Sequence, residues 1–109
     1  MIRTMLAAVA FAATAATLAA APASAASFNC GRHLNHTEAA ICDNANLSDL
    51  DSRMASLYER RREQLHGADR HQLEAEQVSW LSSRNACGAN VDCLIDAYTS
   101  RIHIMMVAY

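Results

Sequence analysis

Residues 77–102 read QVSWLSSRNACGANVDCLIDAYTSRI, and the punctuation of that stretch decides the fold. Gln77, Trp80, Leu81 and Arg84 recur three and four residues apart, the spacing of one helix face. Asn85-Ala86-Cys87-Gly88-Ala89-Asn90 breaks the pattern with turn-forming residues. Asn90 can cap a new helix, and Val91, Leu94, Ile95, Tyr98 and Ile102 resume helical spacing behind it. Cys87 and Cys93 straddle the break. The stretch predicts two helices joined by a turn, with a bridge across the turn.

Towards the C-terminus, Met105, Met106 and Tyr109 extend the apolar side of the last helix. Towards the N-terminus, Leu73 joins the stripe of the helix before it, and Asp69-x-x-Gln72 has the form of a capping box. Gly67 is a natural stop for a preceding helix of about 20 residues. In that helix Leu47, Leu50, Met54, Leu57, Tyr58 and Leu65 form the apolar face. Asp49, Ser52, Arg53, Glu59, Arg60 and Glu63 form the other. Asn44-Ala45-Asn46 reads as a turn, with Asn46 as cap and Asp49 three residues on. Asn35-His36-Thr37-Glu38 is a further capping signature, opening a short helix through Cys42. Residues 26–34 have no periodicity and read as an extended arm. The expected fold is all-α: a small disulfide-stapled helical bundle of one short helix plus three longer ones, up-and-down with short loops. The single proline and three glycines agree with so much helix, and no strand pattern or internal repeat is present.

Residues 1–25, MIRTMLAAVAFAATAATLAAAPASA, read as a cleaved secretory signal peptide. Arg3 supplies the positive start and Met5 to Ala21 the apolar run. Ala23-Ser24-Ala25 is the small-x-small cleavage site. The run is Ala-rich and at the lower limit for crossing a bilayer, so no stable membrane span is expected after cleavage. Ser27-Phe28-Asn29 before Cys30 is not the apolar run that lipid attachment requires. One domain, residues 26–109, remains. The location expected is periplasmic or secreted, and bacterial.

An even number of cysteines in a small exported chain points to disulfides. Four cysteines allow three connectivities. The local pairs Cys30–Cys42 and Cys87–Cys93 are favoured because each closes a short loop within one region. A zinc site using Cys30, His33 and His36 is the rival. The oxidising compartment and the lack of a histidine close to Cys87 and Cys93 weigh against it, so no metal is expected.

The chain carries net charge −2, one unit more negative without Arg3, which gives no support to nucleic-acid binding. All nine basic side chains are arginine. Arg60-Arg61-Arg62 is bracketed by Glu59 and Glu63 and reads as a solvated helix face with local ion pairs. Asn35-His36-Thr37 and Asn46-Leu47-Ser48 match glycosylation sequons but are better explained as helix caps. No nucleophile elbow, phosphate loop or His-Glu zinc motif is present, so neither enzyme activity nor a cofactor is expected. Glu38, Asp49 and Asp51 offer only weak material for acid–base work. Gln77, Trp80 and Arg84 form an aromatic–polar ridge. Its plainer reading is a core tryptophan with two buried polar clips. Its functional reading is a contact surface, because Trp, Tyr and Arg dominate interface hot spots.

The ordered series Ser27-Phe28-Asn29-Cys30, Thr37-Glu38-Ala39-Ala40-Ile41-Cys42, Leu50-Asp51, Tyr58, Gln77-Val78-Ser79-Trp80-Leu81, Arg84-Asn85-Ala86-Cys87, Cys93-Leu94, Tyr98 and Arg101-Ile102 resembles the LprI-like lysozyme-inhibitor domain family. The resemblance covers nearly all of residues 26–109. It implies a helical, cysteine-containing envelope domain that binds and inhibits a c-type lysozyme. The alternative is an envelope structural or interaction module without that activity. Asn29 and Asn85 stand where the family more often has Asp. The candidate binding surface is Gln77, Trp80, Arg84, Tyr98 and Arg101. An Arg or His side chain would suit the enzyme's cleft of catalytic carboxylates, and removal of Arg84 or Arg101 is expected to weaken inhibition without unfolding the domain.

Overall fold

The computed structural model describes residues 26–109; the leader expected over residues 1–25 lies outside the described residues. Four helices follow the arm: α1 (His36–Asp43), α2 (Ala45–Gln64), α3 (Gly67–Ala86) and α4 (Val91–Val107). No strand occurs among the described residues. None of the helices described is long and apolar enough to cross a membrane.

Local chemistry sets most of the boundaries. Asn35 caps α1 as a full capping box: its side chain accepts from the Glu38 N–H, and Glu38 accepts from the Asn35 N–H. Asn90 caps α4 by accepting from the Cys93 N–H at 3.0 Å. At the start of α2 the cap is Asn44 rather than Asn46; its Oδ1 accepts from the Leu47 N–H at 3.1 Å. The reason is a corner of one residue. Asn44 both ends α1 and opens α2, and the buried Ser48 hydroxyl locks the corner by donating to the Ile41 carbonyl at 2.6 Å.

The junction of α2 and α3 also departs from expectation. Helix α2 ends at Gln64, and Gly67 opens α3 instead of stopping α2. With φ at +58°, Gly67 turns the chain sharply where a side chain would be strained. Asp69 is no cap: His66 holds that position without a side-chain bond, and Asp69 sits in the first turn. There its charge complements the helix dipole.

Contacts between helices fix their directions. Arg84 meets Tyr98 and Gln77 meets Arg101, so α3 and α4 run antiparallel. Asp51 meets Tyr98 and the Arg61 guanidinium caps the Met105 carbonyl, so α2 and α4 run parallel. The three long helices therefore go up, down and up. Helix α2 packs along α4, α1 crosses α2, α3 leans on α4, and α2 and α3 touch only lightly. Ile41, Leu47, Met54, Leu94, Tyr98 and Met105 form the core, with Ala26 and Phe28 of the arm packed on it. Two residues expected on the apolar side of α4 face outwards: Val91 and Met106 are exposed.

The structure pairs Cys30 with Cys42 and Cys87 with Cys93, with Cα separations of 5.9 and 5.7 Å. One bridge ties the arm to α1 and the other closes the α3–α4 turn. Thr37, at the start of α1, donates to the Gly88 carbonyl at 2.8 Å, so both stapled segments meet at one end of the molecule.

Candidate functional site

A chain of polar groups runs through the middle of the molecule. Asp51 of α2 is fully buried. Its Oδ1 accepts from the Tyr98 hydroxyl of α4 at 2.8 Å, and its Oδ2 accepts from the Ser27 N–H of the arm at 2.6 Å. Arg84 of α3 donates to the Tyr98 hydroxyl at 3.2 Å and stands 3.9 Å from Asp51. The Arg84 Nε and Nη2 both donate to Asn85 Oδ1, at 3.2 and 3.0 Å. Burial holds the Tyr98 phenol well above its ordinary range, and the Asp51 carboxylate adds to the shift. Trp80 packs edge-on against Tyr98, with ring centres 5.1 Å apart, and its indole N–H donates to the Ala97 carbonyl.

A second buried pair lies one helical turn or more away. Arg101 Nε donates to Gln77 Oε1 at 3.1 Å, and the Gln77 amide donates to the Met54 sulfur. Burial lowers the Arg101 pKa from its ordinary value. Its Nη2 has no hydrogen-bond acceptor among the described residues.

The five candidate contact residues are thus brought together, but facing inwards. Gln77, Arg84, Tyr98 and Arg101 are all buried, and Trp80 is half-buried. Neither Arg84, at 6% exposure, nor Arg101, at 5%, presents a guanidinium that could enter an enzyme's cleft. Each is held by acceptors inside the bundle. Cys30 is engaged with Cys42, so the zinc set with His33 and His36 lacks its thiolate.

What the molecule does present is a cleft of about 550 Å³ along the lightly packed α2–α3 seam. Asp51, Met54, Ala55, Tyr58 and Glu59 face it from α2, and Glu74, Gln77, Val78, Leu81 and Arg84 from α3. Ser27, Phe28 and Glu38 complete its lining. Burial raises the Tyr58 pKa, and the nearby Glu74 and Glu59 charges raise it further.

A model of the family described as lysozyme inhibitor LprI matches residues 30–104. The chain belongs to the LprI family. Lipoprotein LprI of Mycobacterium tuberculosis (strain ATCC 25618 / H37Rv) is 28% identical over 90 residues, covering 80% of this chain and 44% of the relative. Lipoprotein LprI of Mycobacterium bovis (strain ATCC BAA-935 / AF2122/97) matches to the same extent. The chain spans less than half the length of these curated relatives. No solved structure matches it.

The LprI match begins at Cys30 and ends within α4, so it takes in both disulfides and all the long-helix partners of the buried chain. The two Asn-for-Asp positions have local tasks. Asn29 Oδ1 accepts from the Gly31 N–H at 2.8 Å, and Asn85 Oδ1 takes the fork of Arg84. Asp51 was not among the candidate contact residues, yet it is the centre of the buried chain. Its spacing, four after Leu47 and three before Met54, places it on the apolar stripe and was the available signal.

Proposed function

We propose that this protein is an exported, non-enzymatic inhibitor that binds a c-type lysozyme. The observation that carries the reading is the LprI lysozyme-inhibitor match over residues 30–104, which is nearly the whole described fold. Three features support it. The protein is acidic, and lysozymes are typically basic, so long-range attraction favours encounter. Two disulfides and a hydrogen-bonded arm hold the fold, so little chain entropy is lost on binding. The buried polar groups engage one another: Asp51, the one fully buried carboxylate described, accepts from Tyr98 and Ser27. The names of the relatives, both lipoproteins, agree with a place in the bacterial envelope or beyond it.

The test is cell-wall lysis by a c-type lysozyme, followed as the exported, oxidised protein is added. A reduced and alkylated sample is the control. The expected result is inhibition by the oxidised form alone. Lysis undiminished at micromolar excess, with helical content intact, would withdraw the reading. It would favour an envelope interaction module, for which exposed Ile104, Met106 and Val107 at the end of α4 offer an apolar contact strip.

A further inference from the structure

Two grooves flank α2, and their charges are opposite. The α2–α4 groove, about 340 Å³, is lined by Arg53 and Arg60 with Leu57, Ile102 and exposed Met106, and by no carboxylate. The α2–α3 cleft is larger and is lined by four carboxylates and one guanidinium; Asp51 is buried and Glu38 is paired with Arg32, so Glu59 and Glu74 are its exposed acidic groups. That guanidinium, Arg84, is buried and bonded to Tyr98 and Asn85, so it does not neutralise the rim.

The cleft follows from the helices themselves. Residues 54, 55, 58 and 59 make one stripe along α2, and residues 74, 77, 78 and 81 make the facing stripe along α3. At the centre of the first stripe stands Ala55, too small to fill the seam. Met54 and Leu81 give an apolar floor, Tyr58 an aromatic wall, and Glu59 and Glu74 an acidic rim. Beside them Val78 is 68% exposed and adds apolar surface at the edge of the cleft. Glu59 and Glu74 have partners, Arg62 at 3.4 Å and Arg70 at 3.7 Å. All four side chains are well exposed, and such pairs contribute little and exchange readily.

We infer that the α2–α3 cleft is the docking surface for the enzyme, receiving a lysine or arginine side chain from the basic surface of a lysozyme. This rests on the inhibitor reading above and deepens it. The occupant is set by charge and shape. An aliphatic stem lies on Met54, Leu81 and Val78, its cation stands between Glu59 and Glu74, and the Tyr58 ring lies within reach for a cation–π contact. An anionic segment would be repelled by the rim carboxylates, and a purely apolar one would gain nothing from them. The α2–α4 groove, lined by Arg60 and by Arg53, which is paired with Asp49 at 3.0 Å, offers the same cation no carboxylate in its lining. The direction of insertion is therefore from enzyme into inhibitor, the reverse of an inhibitor arginine entering the catalytic cleft.

The experiment measures binding of the exported, oxidised protein to a c-type lysozyme by calorimetry at low and moderate salt. It compares the native chain, Glu59→Gln/Glu74→Gln, and Arg53→Gln/Arg60→Gln, each checked for native circular dichroism. The cleft variant is expected to weaken Kd by about tenfold at low salt and to flatten its salt dependence. The arginine variant is expected to bind as tightly or more tightly. A Kd unchanged in the cleft variant, with the native chain still binding, would overturn the inference and leave the inhibitor reading standing. If the native chain does not bind lysozyme, the inhibitor reading fails, and a second arm decides on the cleft. A short arginine-rich peptide is titrated into labelled protein. Shifts confined to Tyr58, Val78 and Leu81 and lost in the cleft variant support a cation-receiving cleft; no localised shift overturns it.

Discussion

Asp51 concentrates the cost of this fold in one residue. A carboxylate fully removed from water is destabilising unless hydrogen bonds and charge compensate it. Two donors from distant segments, Tyr98 and Ser27, do so, with Arg84 close by. Tyr98→Phe keeps the ring but removes the donor to Asp51 and the acceptor of Arg84. It is expected to cost about 1–3 kcal/mol in urea unfolding, with the helical spectrum retained. Unfolding at the native midpoint would show that the bond contributes nothing. The same residue predicts a pH dependence. Burial raises the Tyr98 pKa above its ordinary value of 10.0, so the folded chain keeps a proton that the unfolded chain gives up. The associated stability is intact below the unfolded pKa and is lost as pH rises beyond about 10. Alkaline unfolding of the native chain should therefore be steeper than that of Tyr98→Phe, and parallel curves would contradict this. Part of the arrangement was legible in sequence, since the spacing of Leu47, Asp51 and Met54 puts Asp51 on the core stripe. Hydropathy points the other way for a carboxylate. The partner that resolves the conflict lies 47 residues further along the chain.

Elements were legible wherever their boundaries rest on neighbours in sequence. Asn35 with Glu38 and Asn90 with Cys93 act within four residues, so their caps could be read directly. Asn46 and Asp69 were equally good caps by residue type. They lost because the one-residue corner at Asn44 and the positive φ of Gly67 start both helices earlier than a type-based reading places them. The apolar face of α4 was overextended for a related reason: nothing local says that α2 covers Met105 but leaves Met106 outside. The turn between α3 and α4 gives the test at this scale. Gly88 adopts φ +58° and its carbonyl accepts from Thr37. Gly88→Ala is expected to lower stability by about 1 kcal/mol through backbone strain alone, because nothing lies within 4 Å of an added Cβ. A thermal midpoint equal to the native one would show that the turn tolerates the change without strain.

At the scale of the whole molecule, the three long helices and their buried polar chain form the body, and the arm with α1 is strapped across one end. The Cys30–Cys42 bridge and the Ser27–Asp51 bond hold that strap. Cys30→Ala/Cys42→Ala is expected to cost about 3 kcal/mol by the chain-entropy account. It should also speed hydrogen exchange at Ser27 more than at Leu94 in the core. Equal acceleration at both would mean that the strap and body unfold together. The cysteines and caps made the fold readable, but the α2–α3 cleft was not readable. Its two stripes are each ordinary in sequence, and only the packing of α3 against α4 sets them facing each other with a gap. Gln77, Arg84, Tyr98 and Arg101 lie inside for the same reason, since their polar tips meet partners on other helices. We propose that this LprI domain stops lysozyme by occupying it, without chemistry of its own. The most direct measurement is a lysis titration with the exported, oxidised protein at two lysozyme concentrations and several preincubation times. The expected end-point scales with the lysozyme present and does not move with time. An end-point far below one inhibitor per enzyme that falls with longer preincubation would show turnover and contradict it.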